Sequence, residues 1–121
     1  MSKKILIVEH NALMVEVMTY ILENKGYEVM ALSSGDEVFN NVKANYPDLV
    51  ILDAKLPGID GREICQLIKL NKTTHDLRVI MCSGDDSIDE TRKQNGAPDD
   101  ILHKPFDISC LVEMVKYQLA A

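Results

Sequence analysis

Side chains able to do chemistry stand at the ends of short apolar runs in this sequence. Glu9 and His10 follow the first run, and Asp53 closes a later one. Ser83 and Lys104 stand at the ends of two further runs. A carboxylate nucleophile with a hydroxyl and an ammonium nearby suits phosphoryl transfer, because those groups can stabilise the negative oxygens of a phosphoryl group. These five residues are therefore the first candidates for a functional site.

The apolar runs alternate with amphipathic stretches, which indicates alternating strands and helices. We predict strands over 4–8, 27–31, 48–53, 78–82 and 100–103. We predict helices over 11–25, 34–44 and 62–70, a fourth from 87 to 95–96, and a last one from 107. Sequences of the capping-box type at 34–37 and 87–90 predict where the second and fourth helices begin.

The predicted strands lack the alternation of polar and apolar residues that a half-exposed strand shows. Strands of this kind are buried on both faces, as in parallel sheets covered by helices. Strict alternation of strand and helix then predicts a doubly wound α/β domain. In such a sheet the carboxyl ends of the strands share one rim, so the candidate residues are expected to converge there.

Composition excludes several classes of function. A formal charge of −6 argues against a nucleic-acid surface, and the apolar runs are too short for a membrane span or a signal peptide. The cysteines, Cys65, Cys82 and Cys110, are scattered and odd in number, which is typical of reduced thiols in a cytoplasmic protein. The sequence shows no repeat and no linker, and the last helix runs to the chain end, so we expect one domain over 1–121 without an output domain.

The chain resembles the receiver domains of two-component response regulators, the CheY-like superfamily, over essentially its whole length. The segments that carry the resemblance are KKILIVEHN, DLVILDAKLPGIDG, RVIMCSG and LHKPF, in the family's order. The resemblance implies a flavodoxin-like (βα)5 fold, with a five-stranded parallel sheet in the order 2-1-3-4-5. It also implies that Asp53 accepts a phosphoryl group from a histidine kinase, that Ser83 and Lys104 bind the phosphoryl oxygens, and that the Lys104–Pro105 bond is cis.

The resemblance further implies a cofactor and partners. Mg²⁺ would be held by Glu9, Asp53 and the backbone carbonyl of Lys55. The partners would be a histidine kinase or phosphotransfer protein and a downstream protein, bound at the face of the fourth helix, fifth strand and fifth helix. Neither a nucleic acid nor a membrane is expected as a partner.

This chain departs from the family pattern at several positions near the site. His10 stands where a second acid is usual, and imidazole is a poor Mg²⁺ ligand, so Mg²⁺ binding is expected to be weak or absent. Lys55 could bring a further ammonium to the site and could pair with Asp85. Ile101 takes the place of the usual switching aromatic, and the segment GAPDDILHK carries one extra residue before the last strand.

Three interpretations of His10 remain open from the sequence. In the first, His10 faces solvent or hydrogen-bonds to Asp53, and the metal site is merely weakened. In the second, protonated His10 and Lys55 replace the charge of the metal ion. In the third, His10, Glu9 and Asp53 hold a transition metal.

The same departures leave three classes of function open. The first is a phosphorylated receiver. The second is an atypical receiver that binds its partner without phosphorylation. The third is a small enzyme on the same fold, which is disfavoured because no substrate-binding insertion is evident, and no Gly-rich fingerprint indicates a nucleotide cofactor.

Overall fold

The computed structural model describes residues 2–120, whose centre is a five-stranded parallel sheet. The strands are β1 (Lys4–Val8), β2 (Glu28–Leu32), β3 (Leu49–Asp53), β4 (Arg78–Ser83) and β5 (Asp100–His103). They lie in the order β2-β1-β3-β4-β5, with each neighbouring pair parallel. The predicted doubly wound sheet and its strand order are confirmed.

Helices cover both faces of the sheet. They are α1 (Ala12–Asn24), α2 (Val38–Asn45), α3 (Gly61–Leu70), a 3₁₀ segment (Asp86–Lys93) and α4 (Ile108–Leu119). Buried side chains of α1 and α4 pack on one face of the sheet, and those of α2, α3 and the 3₁₀ segment pack on the other. Alternate residues of each inner strand point into the two layers, which explains why these strands are apolar throughout.

The start and end of α1 follow the predicted helix signals. Asn11 is the N-cap, and its side-chain oxygen accepts a hydrogen bond from the Met14 N–H at 3.0 Å. Gly26 follows the helix with a φ of +94°, a conformation that only glycine adopts at little cost. The N-cap of α1 therefore lies three residues after the end of β1, close to Glu9 in the chain.

The capping box predicted at 34–37 is wrong. The helix α2 begins at Val38, and the side chain of its N-cap residue, Glu37, makes no capping hydrogen bond. The preceding residues instead dock on the loop after β3, where the Gly35 N–H donates to the carbonyl of Pro57 at 3.1 Å. A Cβ on Gly35 would collide with the carbonyl of Ile59, so this close approach needs a glycine.

The fourth helix is a 3₁₀ segment rather than the predicted α-helix, and its cap is Asp85 rather than Ser87. The Asp85 carboxylate accepts from the Ser87 N–H at 2.9 Å. Within the segment, the Thr91 hydroxyl donates to the carbonyl of Ile88 at 2.6 Å. That side-chain bond occupies a carbonyl that an α-helix would pair with a backbone N–H four residues later. At the last helix, Asp107 is the predicted N-cap residue, but its side chain makes no capping hydrogen bond.

Within residues 2–120, no helix is both long enough and apolar enough to cross a membrane.

Candidate functional site

The candidate residues meet at the carboxyl ends of the strands. Asp53 ends β3, Ser83 ends β4, and Lys104 directly follows β5. Together with Lys55 and Gly84 they line an open cleft of about 670 Å³. The remaining lining residues are Asp85 and Asp86. The structure thus brings together four residues that the sequence analysis selected, from three different strand ends.

The Lys104 ammonium lies between two buried carboxylates. Its Nζ atom is 3.2 Å from Asp53 Oδ2 and also forms an ion pair with Glu9 Oε1. The side chains of Glu9 and Asp53 are only 5% and 10% exposed. The Lys104–Pro105 peptide is cis, as the family resemblance implied.

Backbone N–H groups bind the carboxylate oxygens that face away from Lys104. Glu9 Oε2 accepts from the Asn11 N–H at 3.0 Å, at the start of α1. Asp53 Oδ1 accepts from the Lys55 N–H at 3.2 Å. All four carboxylate oxygens of the pair therefore already have a hydrogen-bond donor.

Burial and charge shift the pKa values of this cluster in different directions. Burial, reinforced by the negative charge of Glu9, raises the pKa of Asp53 despite the Lys55 N–H and the Lys104 ammonium. Burial alone would raise the pKa of Glu9, but hydrogen bonds from Lys104 and Asn11 outweigh it and the pKa is lowered. The pKa of Lys104 is raised, because both carboxylates outweigh the effect of burial. When a proton enters the cluster, it is therefore expected on Asp53.

Ser83 and Asp85 form the side of the cleft that leads into the 3₁₀ segment. The buried Ser83 Oγ accepts from the Asp85 N–H at 3.0 Å, which leaves its hydroxyl proton to donate to an oxygen in the cleft. The Asp85 carboxylate caps the 3₁₀ segment, and the Ser87 N–H holds the pKa of Asp85 below its usual range. The expected pair between Lys55 and Asp85 is not among the ion pairs of residues 2–120.

His10 is exposed and lies on the other side of Glu9. It lines a separate cavity of about 310 Å³ between α1 and the end of β2, with Glu16 and Ser33 among its neighbours. None of the hydrogen bonds found in the described part of the chain joins His10 to Asp53. This placement agrees with the interpretation in which His10 faces solvent.

The residues at this rim fit Mg²⁺ poorly. Within residues 2–120, no group of three or more His, Cys, Asp or Glu side chains is arranged to hold a metal ion. Among the described residues, the buried carboxylates are those of Glu9 and Asp53, and the ammonium of Lys104 binds both. Mg²⁺ needs a nearly octahedral set of oxygen ligands, and here it would compete with the Lys104 ammonium for the two carboxylates.

Two contributors to the site were missed by the sequence analysis. The first is the contact between Glu9 and Lys104, which joins residues 95 positions apart and leaves no local signal. The second is Gly61, which packs so closely on the carbonyl of Asp53 that a Cβ would collide with it. A glycine at the start of a helix could have signalled this approach, because glycine is a poor helix former.

Known proteins resemble this chain in both sequence and structure. Residues 5–116 match the family model described as the response regulator receiver domain. The chain is 33% identical over 106 residues to the alkaline phosphatase synthesis transcriptional regulatory protein PhoP of Bacillus subtilis (strain 168), covering 88% of this chain and 44% of that protein. It is 32% identical over 117 residues to the phosphate regulon transcriptional regulatory protein PhoB of Klebsiella pneumoniae, covering 96% of this chain and 51% of that protein. The chain thus spans about half the length of the curated relatives it matches.

Solved structures of receiver domains also resemble this chain. The signal receiver domain of a signal transduction histidine kinase from Syntrophus aciditrophicus is 30% identical, with a TM-score of 0.90 over 98% of this chain and 91% of that chain. The receiver domain of sensor histidine kinase PA1611 from Pseudomonas aeruginosa PAO1 has a magnesium ion coordinated in its active-site cleft. At 21% identity and a TM-score of 0.87 over the full length of both chains, it supports the fold alone. The match over residues 5–116 shows that the chain belongs to the response regulator receiver domain family.

Proposed function

We propose that residues 1–121 act as one receiver domain that accepts a phosphoryl group on Asp53 and relays the signal by binding a partner. Receiver domains take this group from histidine kinases or phosphotransfer proteins, and they are phosphoacceptor modules rather than classical enzymes. The observation that carries the proposal is the Asp53 carboxylate in an open cleft, 3.2 Å from the Lys104 ammonium and beside the Ser83 hydroxyl.

Asp53, Lys104 and Ser83 each have a defined task in this proposal. A carboxylate oxygen of Asp53 forms a bond to phosphorus while the phosphorus–nitrogen bond of a phosphohistidine donor breaks, and the imidazole nitrogen keeps the electron pair. The Lys104 ammonium and the Ser83 hydroxyl stabilise the charge on the phosphoryl oxygens, which is the main requirement of phosphoryl transfer. Because these groups belong to the receiver, the chain itself would promote both uptake and hydrolytic loss of the phosphoryl group.

We propose that Mg²⁺ binds this chain weakly or not at all. Receiver domains generally bind Mg²⁺ at the active site, where the ion neutralises charge on the phosphoryl oxygens. The ligands that remain here are the carboxylates of Glu9 and Asp53 and the backbone carbonyl of Lys55. His10 adds no acid, and its side chain lies in a different cavity.

For the downstream partner we propose the face formed by the 3₁₀ segment, β5 and α4. The 3₁₀ segment begins at Asp86, three residues after Ser83, so a change at the cleft can reach this face over a short distance. At its centre, His103 Nε2 of β5 lies 3.0 Å from Asp89 Oδ1 of the 3₁₀ segment. Both side chains are about half exposed and accessible to a partner.

The test uses acetyl phosphate as the phosphodonor and intact mass as the measurement. The wild-type chain is expected to gain one phosphoryl group, and Asp53→Asn is expected to gain none. Asp76→Asn makes the same chemical change at an exposed loop acid and is expected to behave as wild type, since the Asp76 side chain is 85% exposed and pairs with the neighbouring His75. Labelling of Asp53→Asn to the wild-type extent would contradict the proposal.

A second candidate is a receiver that binds its partner without phosphorylation. Two observations favour it: His10 lines a cavity apart from the cleft, and Ile101, at the position of the usual switching aromatic, is buried in the core at 4% exposure. If this function is correct, Asp53→Asn leaves the signalling output of the cell unchanged. A strong loss of output in that variant would support the phosphorylated receiver instead.

A further inference from the structure

We propose that Glu9 is a positioning residue that holds the Lys104 ammonium at Asp53, so that phosphoryl uptake does not depend on a divalent cation. The proposal rests on Asp53 being the phosphoacceptor. It gives Glu9 a task that differs from the metal ligation expected from the resemblance.

The sheet places Glu9 and Lys104 far apart along the rim. Glu9 follows β1 and Lys104 follows β5, and two strands, β3 and β4, lie between them. Neighbouring strands are about 4.8 Å apart, so the two backbones are separated by about 14 Å. Lys104 can reach across to Asp53 and Glu9 only with an extended side chain, and Glu9 is one methylene longer than the aspartate that could replace it.

Glu9 is itself fixed on its far side. Its Oε2 atom accepts from the Asn11 N–H at 3.0 Å, at the N-terminal end of α1, where the helix dipole favours a carboxylate. The residue is only 4% exposed. A free lysine side chain has considerable rotamer entropy, and holding it in one place requires a partner that does not move. Glu9 meets that requirement.

The charge balance of the cluster agrees with this role. Glu9 and Asp53 carry two negative charges and Lys104 one positive charge, which leaves −1. His10 adds no negative charge and lines a different cavity. Within residues 2–120, the ammonium that Glu9 holds is the cation that forms an ion pair with Asp53.

The first experiment observes the Lys104 ammonium directly, by ¹H–¹⁵N NMR of lysine side chains. An ammonium held between two carboxylates exchanges its protons slowly, so wild type is expected to show a resolved Lys104 signal, assigned by its loss in Lys104→Met. Glu9→Gln is expected to broaden or remove this signal. Glu23→Gln is the matched control, because Glu23 is an exposed acid at the end of the same helix α1. An unchanged Lys104 signal in Glu9→Gln would overturn the proposal.

The second experiment measures the rate of phosphoryl uptake from acetyl phosphate with Mg²⁺ and with EDTA. Wild type is expected to react equally in both, within about twofold. Glu9→Gln is expected to lose on the order of tenfold to a hundredfold in EDTA, the usual effect of a misplaced catalytic group. Glu23→Gln is expected to keep the wild-type rate. If Glu9 is a metal ligand instead, wild-type uptake will require Mg²⁺, and Glu9→Gln will raise the Mg²⁺ concentration needed for half-maximal uptake.

Failure of this inference can be told apart from failure of the proposed function. If wild type takes up phosphoryl only with Mg²⁺, Asp53 remains the phosphoacceptor and the positioning role of Glu9 is wrong. If neither wild type nor His10→Asp takes up phosphoryl under any condition, Asp53 is not a phosphoacceptor and the uptake claim is wrong as well. In that case the NMR signal still decides whether Glu9 holds Lys104.

Discussion

Lys69 and Lys104 both bind carboxylates of low exposure, and they lie at opposite ends of the sheet. Lys69 of α3 has its Nζ 2.9 Å from Asp99 Oδ2 and 3.0 Å from the carbonyl of Leu77, near the start of β4. The Val79 N–H also donates to Asp99 Oδ2, at 2.7 Å. At the other end, Lys104 is shared by Glu9 and Asp53.

The difference between the two clusters is one of charge. Lys69 offsets the charge of Asp99, and the half-exposed Arg78 guanidinium is a further cation 3.7 Å away, so this balanced pair carries no excess negative charge. The Val79 N–H also binds Asp99, and the pair joins α3 to β4. Lys104 faces two carboxylates, and the pKa of Asp53 is raised, chiefly by burial and further by the charge of Glu9, against the opposing effects of the Lys55 N–H and Lys104. A balanced pair stabilises a fold, whereas an unbalanced one is ready to bind or react with something from solution.

The sharpest test of this comparison is to remove each lysine in turn. Lys104→Met is expected to reduce the rate of phosphoryl uptake by about a hundredfold, because it removes a donor to the phosphoryl oxygens. Lys69→Met is expected to leave the rate unchanged. Both rates can be measured by intact mass with acetyl phosphate. Equal losses in the two variants would show that the effect comes from folding and not from the site.

Lys69→Met, which should not change the rate of phosphoryl uptake, should instead lower the stability of the fold. Lys69→Met leaves the Asp99 carboxylate, which is 17% exposed, with only the Val79 N–H and the more distant Arg78 guanidinium, 3.7 Å away. The free energy of unfolding is expected to fall by about 2 kcal/mol, the usual worth of a hydrogen-bonded charge with little exposure. Urea denaturation at pH 7 measures this change. Lys72→Met, at an exposed position just after α3, is the control and should change stability little.

Much of this fold could be predicted from the sequence because its strands are buried on both faces and its polar residues gather at their ends. Asp53, Ser83 and Lys104 were found in this way. The capping box at 34–37 failed because Gly35 docks on Pro57, a tertiary contact that a local sequence pattern does not contain. The one at 87–90 failed because a nearby competitor, Asp85, caps the segment two residues earlier.

The orientation of the residues after β1 was also beyond the sequence. Glu9 and His10 are adjacent, and either could have turned towards Asp53. Both residues follow the end of β1, so the alternation of side chains along a strand does not decide which of them enters the cleft. The structure turns Glu9 inward, where Lys104 and the N-terminal end of α1 both attract a carboxylate, and leaves His10 exposed.

The burial of the Asp53 carboxylate also predicts a stability gain when its charge is removed. Because the pKa of Asp53 is raised on folding, its ionised form costs stability at neutral pH, and Asp53→Asn should raise the free energy of unfolding by about 1 kcal/mol. As the pH falls through the pKa of Asp53, wild type takes up a proton and the difference between the two proteins should shrink. Urea denaturation from pH 7 down to pH 4 measures both. A gain that stays constant over this range would mean that the charge of Asp53 is not its source.

The smallest effect is expected at the exposed pair of His103 and Asp89, whose side chains are 48% and 56% exposed. Solvent screens such a pair, so a double-mutant cycle of His103→Ala and Asp89→Ala should give a coupling energy of about 0.3 kcal/mol. Urea denaturation of the four proteins provides the cycle. A coupling above about 1 kcal/mol would exceed what an exposed pair provides. The pair would then hold the 3₁₀ segment against β5. The comparison between the Lys69 and Lys104 clusters would then need a third kind of ion pair, one that couples the cleft to the partner face.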